Sequence, residues 1–414
     1  MFSVDGADVP AAKVVFQGMD AMFHEKKPPW NVWSAWSRGM APFWGADFVY
    51  DFVYPFNKTR GLHAWFRGEH TAYNEAFPDY HSSVMIAAGS DTGVTCTAYH
   101  LVHWAGAFAG VPAPPTKPVV RVRDLDFYTI RDGRIAYNWC MIDVVDILQQ
   151  GGYRVLPPAP LPDEGYPPPS AMDGWPAPDS AFVDSTHTAR AAAAFQDMLD
   201  ELASTAAPAP RPWWAEDFIW YGPAGIGTAK GRAQYDAHFL RPLHTAFTGL
   251  ELAVDSFVCE GPYCGAHLHL TGVHAGAWLG QAATRRQVSL RFGIHARVSI
   301  AQEGDRADDV VAQAWAQLDI PEAFAQMGID LFARARAQVL RASSGTARDA
   351  EDASPHSAAS VEQLEAGPDL RELRFLGLAG LTICLMLASA AAGARCAGRG
   401  RHHLGDPYLP LASH

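Results

Sequence analysis

Two aspartates close the same phrase. Trp139-Cys140-Met141-Ile142-Asp143 recurs as Trp315-Ala316-Gln317-Leu318-Asp319, and a carboxyl group set beside aromatic rings is suited to moving protons. Desolvation favours its neutral form and brings its pKa towards the range in which it works as general acid or base. Strand alternation puts Trp139, Met141 and Asp143 on one face, and Trp315, Gln317 and Asp319 on one face of the second phrase. Asp143 and Asp319 are therefore the expected catalytic acids, with Trp139 and Trp315 lining the substrate. A plainer part stays open: Asp143-x-x-Asp146 and Asp319-x-Pro321-Glu322 each open a helix, as a capping aspartate does.

His274 shares the inward parity of Leu268 and Leu270, where it would polarise a substrate carbonyl or sit as a hydrogen-bonded core residue. The first phrase has Trp104 at that position, and His100 points inward where the second has Leu270. His267 and His269 alternate with those leucines, so they face away from the pocket, towards the surface or a helix. With no carboxylate or third histidine placed beside them by the sequence, no metal site is expected.

These residues sit in a chain that is written twice. Asp47-Phe48-Val49 recurs as Asp217-Phe218-Ile219, Gly61 as Gly231, and Gly106 to Gly110 as Gly276 to Gly280, each 170 positions on. The closing phrases stand 176 apart, so about six residues are added, most simply in a hairpin around Gly304-Asp305-Arg306. So long a period means tandem domains of ordinary size. Each copy reads as helix first, strand and turn later, an α+β arrangement in which a curved antiparallel sheet and its N-terminal helices enclose a pocket. The expected divisions are 1–153 for the first domain, 154–181 for a Pro-rich linker, 182–340 for the second domain, 341–374 for a disordered linker, 375–394 for a hydrophobic helix and 395–414 for a basic tail. Nine prolines between Val155 and Ser180 predict a semi-extended spacer that packs no core. A helix is predicted from Pro321 to about Leu340. The uncharged run 375–394, flanked by arginines, has the length of a membrane span or forms a loosely held terminal helix. If it inserts, the lack of a basic, apolar start at Met1-Phe2-Ser3 makes it a tail anchor with cytoplasmic domains.

Net charge of −12 without a long Lys/Arg run argues against a nucleic-acid partner. The six cysteines are scattered with no CxxC pair, which predicts a reducing compartment and no disulfide framework.

The string Trp214-x-Glu216-Asp217-Phe218-Ile219-Trp220-Tyr221-Gly222-Pro223, followed by Gly231-Arg232, Gly272-Val273-His274-Ala275-Gly276 and Trp315-x-x-x-Asp319, resembles the SnoaL-like polyketide cyclases of the NTF2-like superfamily. The first copy carries the same frame in Gly106-x-Phe108-x-Gly110, Asp126-Phe127-Tyr128, Asp132-Gly133 and Trp139-x-x-x-Asp143. The resemblance implies two cone-shaped barrels and a cofactor-independent intramolecular aldol cyclisation of a hydrophobic carbonyl compound, or a related isomerase or hydrolase reaction. It places the acid/base aspartate on Asp143 and Asp319 and a pocket histidine on His274. Asp126 and His295 align approximately with a polar pocket residue of the family. The rival class is a non-catalytic module binding a small apolar ligand, with the two copies fused as an intramolecular pseudo-dimer. Fold alone does not choose between them.

Overall fold

The computed structural model describes residues 9–23, 31–175, 185–204, 213–301 and 309–340. The first copy runs α1 (Ala11–Ala21), α2 (Trp33–Met40), β1 (Trp44–Phe52), β2 (Lys58–Arg60), α3 (Gly61–Trp65), a π-helical turn (Phe66–His70), α4 (Thr71–Ala76), β3 (Ser82–Gly89), β4 (Gly93–His103), β5 (Val119–Arg131), β6 (Arg134–Ile142) and α5 (Val144–Gln150). The second runs α6 (Ser185–Ala203), β7 (Trp214–Tyr221), β8 (Thr228–Lys230), α7 (Arg232–Tyr235), a π-helical turn (Asp236–Leu240), α8 (Arg241–Ala246), β9 (Phe247–Glu260), β10 (Tyr263–His274), β11 (Gln287–Ser299), β12 (Val310–Leu318) and α9 (Ile320–Gln326).

The repeat is reproduced strand for strand. One sheet has the order β2-β1-β6-β5-β4-β3 and the other β8-β7-β12-β11-β10-β9. Neither is purely antiparallel as expected, because β1 pairs with β6, and β7 with β12, in parallel. Gly61 and Gly231 take φ of +76° and +75° where the chain turns from β2 and β8 towards the following helix, a conformation open to glycine. Helix α1 buries Ala12, Phe16 and Met19, one face at helical spacing. The predicted helix over 321–340 is two pieces, α9 and a helix over 331–340, separated by Gly328 at φ +87°.

Each sheet is covered on one face by its own helices and on the other by the second copy. In β5, Asp124, Asp126 and Tyr128 face the helix side, whereas Arg123 and Phe127 meet the other copy. The sheets approach closely: a Cβ added to Gly265 would lie 2.5 Å from Thr95 Oγ1, and one added to Gly293 would lie 2.9 Å from Met141 Sδ. Lys13 of α1 and Glu260 at the end of β9 form a buried ion pair across the copies at 2.7 Å.

The Pro-rich segment is extended over 154–175 but is no idle spacer. It buries Val155, Leu156, Leu161 and Tyr166. Tyr166 donates to Ala316 O at 2.5 Å, Pro167 O accepts from Trp315 Nε1 at 3.0 Å, and Trp175 Nε1 donates to Val84 O at 3.0 Å. These apolar side chains, spaced along the segment at 155–156, 161 and 166, let proline-rich backbone dock as a strap although it forms no ladder. The expectation of unpaired cysteines is also corrected, since Cys259 and Cys264, directly opposite across the β9–β10 hairpin, form a disulfide. Among the described residues no helix is long and apolar enough to cross a membrane. The predicted hairpin around Gly304, the linker 341–374, the apolar run 375–394 and the tail 395–414 lie outside the described residues.

Candidate active site

A cavity of about 490 Å³ opens between the helices and the sheet of the first copy. Its floor is the helix-side face of three neighbouring strands: Cys96, Ala98 and His100 from β4, Asp124, Asp126 and Tyr128 from β5, and Cys140 and Ile142 from β6. Trp36 of α2, Trp65 of α3, Glu69 and His70 of the π-helical turn, and Tyr73 of α4 close it from the other side. Gly68 in that turn departs from helical φ/ψ at −95° and −107°. Such wide turns recur where a side chain must be aimed at a site.

The acids are grouped and buried. Asp124 and Asp126 are separated by one residue, so the strand puts both on the same face. Asn138 Nδ2 donates to Asp126 Oδ1 at 2.8 Å, and Cys140 Sγ lies 3.6 Å from Asp124 Oδ1. Burial pushes Asp126 up to about 6, against hydrogen bonds from Asn138, Cys140 and Tyr128. Asp124 is pushed well above its ordinary value by burial and by the charge of Asp126, as happens when two carboxylates share one proton. Glu69, which accepts from Trp65 Nε1 at 2.8 Å, is pushed up to about 7, chiefly by burial. His100 Nδ1 lies 3.2 Å from the Tyr73 hydroxyl, and its Nε2 lies 3.7 Å from Asp124 Oδ2. The cavity therefore offers carboxyl groups poised near neutrality beside a histidine and phenols, a set able to take a proton from carbon and return one to oxygen.

Two of the residues expected from sequence, Asp126 and His100, line this cavity. The others do not. Asp143 caps α5, accepting from Asp146 N at 3.0 Å, receives Ala224 N of the second copy at 2.8 Å, and pairs with Arg123 at 2.8 Å. Asp319 repeats the arrangement: it caps α9 through Glu322 N at 3.0 Å and receives Tyr54 N of the first copy at 2.8 Å. Arg123 donates to Gly222 O, and Arg291 to Phe52 O. The two aspartates are thus matching clasps between the copies, and the capping alternative describes them. Trp139, Met141 and Asp143 do share a side, as expected, but it is the one that meets the other copy. Trp139 stacks on His267 at 5.1 Å between ring centroids, and Trp315 packs against Tyr221 and Pro167.

His274 is enclosed in the second copy's core, packed on Phe247, with Nδ1 accepting from Thr284 N at 3.2 Å. Trp104 is enclosed in the first, donating to Gly106 O at 2.8 Å. His295 lies between the copies, wedged against Thr95 and Thr97 and 5.0 Å from the Phe127 ring. Its register is one residue off the expected one: Phe127 pairs with Trp139 and His295 with Trp315, so the counterpart of Asp126 is Ile294.

With that register corrected, the copies diverge at the site. Glu69, His100, Asp124, Asp126 and Cys140 correspond to Phe239, Leu270, Phe292, Ile294 and Ala316. All five replacements are buried. Trp220, Phe239 and Phe292 stack through the second interior, with centroids 4.5 and 6.0 Å apart. The second copy keeps the frame and fills the space where the first holds its acids.

Among the described residues, two groups bring three ligating atoms within 4.8 Å of one another, Asp124–Asp126–Cys140 in the cavity and Asp255–His267–His269 between β9 and β10. The second supplies the carboxylate that the sequence did not place. There His267 Nε2 accepts from Arg291 Nε at 3.0 Å, so its Nδ1 carries the proton and faces Asp255 at 3.3 Å. In that neutral tautomer both ring nitrogens of His267 are engaged with Arg291 and Asp255, which leaves His267 no lone pair for a metal. Residues that sequence reasoning missed are Glu69, Tyr73, Asp124 and Cys140. The one available signal was Asp124-x-Asp126 at strand period against Phe292-x-Ile294.

The family model for SnoaL-like polyketide cyclases matches residues 30–151 and 193–327. Solved structures similar to parts of the chain include a SnoaL-like polyketide cyclase candidate from Jannaschia Sp. CCS1 (18% identity, 35% of this chain and 96% of that one, TM-score 0.31). AclR from Streptomyces galilaeus, a candidate hydroxylase, matches at 22% identity over 34% of this chain and 95% of its own, with TM-score 0.27. IdmH from Streptomyces antibioticus, a candidate polyketide cyclase, matches at 20% identity over 34% and 98%, with TM-score 0.29. No curated protein matches.

Proposed function

The chain belongs to the SnoaL-like polyketide cyclase family, and from that premise we propose that its first copy is an acid/base catalyst of an aldol-type ring closure while its second is a filled, non-catalytic partner. The observation that carries the reading is the contrast of the two interiors: Asp124, Asp126 and Glu69 in an open cavity, Phe292, Ile294 and Phe239 in a packed one. In this reading Asp126 removes the proton alpha to a carbonyl. The carboxyl proton of Glu69, or the one that Asp124 shares with Asp126, passes to the new alkoxide oxygen and leaves a carboxylate behind, and His100 and Tyr73 hold the substrate oxygens. The substrate is a hydrophobic carbonyl compound of a size the cavity holds. The chemistry proposed uses protons alone.

The test is exchange of the α-proton of an aryl β-keto ester in D₂O, followed by NMR. Wild-type exchange above background that is lost in Asp126→Asn supports the proposal. Absence of exchange across a panel of such esters, with the ligands still bound, would turn the site into a binding module. Membrane attachment through residues 375–394 is a separate proposal, tested by whether a chain ending at residue 349 leaves the membrane fraction. The reducing compartment expected from the scattered cysteines loses that support with the Cys259–Cys264 disulfide.

A further inference from the structure

Among the described residues, buried carboxylates elsewhere in the fold are matched to cations except Asp319, which is held by the backbone N–H groups of Tyr54 and Glu322. Glu260 meets Lys13 at 2.7 Å, Asp143 meets Arg123 at 2.8 Å, Asp309 meets Arg190 at 2.5 Å, Asp51 meets Arg291 at 3.2 Å, and Glu201 meets Arg232. The cavity acids break this pattern. Among the described residues, Glu69, Asp124 and Asp126 form no ion pair with a lysine or arginine, and no lysine or arginine lines the cavity. All three are buried. A buried carboxylate without a counter-charge is unfavourable, and either a proton or a cationic ligand supplies the missing charge.

The rest of the wall is aromatic. Trp36, Tyr50, Trp65, Tyr73, Tyr80 and Tyr128 surround the acids, with Trp36 and Trp65 edge to face at 5.0 Å and Tyr50 stacked on Trp65 at 4.6 Å. Ring faces attract cations, most strongly where water is excluded. Among the described residues a negatively charged ligand would meet acids and ring faces with only the imidazoles of His70, His81 and His100, the last beside Asp124, to receive it; a positively charged one would find both kinds of partner.

Resting on the reading of this cavity as the substrate site, we infer that it takes a hydrophobic ammonium compound: a ligand whose carbon skeleton fills the aromatic cage and whose cationic nitrogen stands against Asp124, Asp126 and Glu69. The second copy, with Phe292, Ile294 and Phe239 at those positions, takes no such ligand.

The experiment compares benzyltrimethylammonium with neopentylbenzene, its neutral isostere, on the full chain by titration of tryptophan fluorescence. The ammonium compound is expected to bind at least about tenfold tighter, and Asp126→Asn and Glu69→Gln each to reduce that preference while leaving neopentylbenzene binding in place. Equal or tighter binding of the neutral compound, no binding of the ammonium compound, or a preference unchanged in both variants overturns the inference. The outcome is separable from that of the proposed reaction. α-Proton exchange of a neutral keto ester without any ammonium preference sinks the inference alone, and ammonium preference without exchange sinks the reaction alone.

Discussion

Replacing Asp143 by alanine should unfold the joint between the copies rather than silence a catalyst. The carboxylate serves three groups: Asp146 N at 3.0 Å, Ala224 N at 2.8 Å, and Arg123 at 2.8 Å. Loss of a helix cap costs about 1 kcal/mol. A buried backbone N–H left without an acceptor costs about 1–3 kcal/mol. Removing one member of a buried ion pair costs about 3–5 kcal/mol, but Arg123 keeps Asp146 at 3.3 Å, Asp163 at 3.2 Å and Gly222 O at 3.1 Å, which retains part of that. These effects overlap, and a net loss of about 4 kcal/mol is expected for Asp143→Ala, about half that for Asp143→Asn, which keeps one acceptor oxygen. Urea unfolding of the full chain, followed by tryptophan fluorescence, reads the loss directly. Per folded molecule, Asp143→Asn should keep its exchange rate. A stability loss below about 1 kcal/mol together with collapse of the exchange rate would refute the reasoning and return Asp143 to the catalytic role its sequence context suggested.

The pH profile of exchange follows from the cavity acids: Asp126 must lose its proton to act as base, so the rate rises through about 6, and Glu69 must keep its proton to act as acid, so the rate falls above about 7. A narrow bell is expected, and a flat profile from pH 5 to 8 counts against these two groups. His295 is pushed down to about 3 by burial between the copies, so the folded state favours its neutral form. The stability it contributes is complete above the unfolded value of about 6.5 and lost as pH falls below it, about 2 kcal/mol of it by pH 5. His295→Gln should shrink the difference in urea midpoint between pH 7 and pH 5, and an unchanged difference rejects this assignment. In the packed second interior, Phe292→Ala should cost about 3–5 kcal/mol by opening a cavity, whereas Asp124→Asn, which replaces a carboxyl buried without a lysine or arginine partner by a neutral amide of the same shape, should leave the midpoint unchanged or higher. The reverse order would show that the two interiors have been misjudged.

The duplication was legible because both copies keep their strand spacing, and the matched glycines at 61 and 231 mark the same left-handed turn. Face parity was legible too, as the grouping of Trp139 with Asp143 and of Leu268 with Leu270 shows. Which face holds the cavity was not. A sheet covered by helices on one side and by a second sheet on the other is apolar on both, so Trp139-Met141 and Cys140-Ile142 carry no label telling them apart. The register of His295 slipped by one because β11 and β12 carry different offsets from their counterparts, and only the pairing with Trp315 fixes it. Glu69 was hidden by its setting in a π-helical turn, where neither period 2 nor period 3.6 predicts direction. Asp255 reached His267 and His269 only through pairing of β9 with β10.

The central claim is that chemistry resides on Asp126 of the first copy and not on the aspartates of the Trp-x-x-x-Asp phrases. The most direct measurement is the α-proton exchange rate of an aryl β-keto ester with Asp126→Asn beside Asp319→Asn, each normalised to folded protein. Asp126→Asn is expected to fall to the uncatalysed rate and Asp319→Asn to stay near wild type. Retained exchange in Asp126→Asn with loss in Asp319→Asn would contradict it.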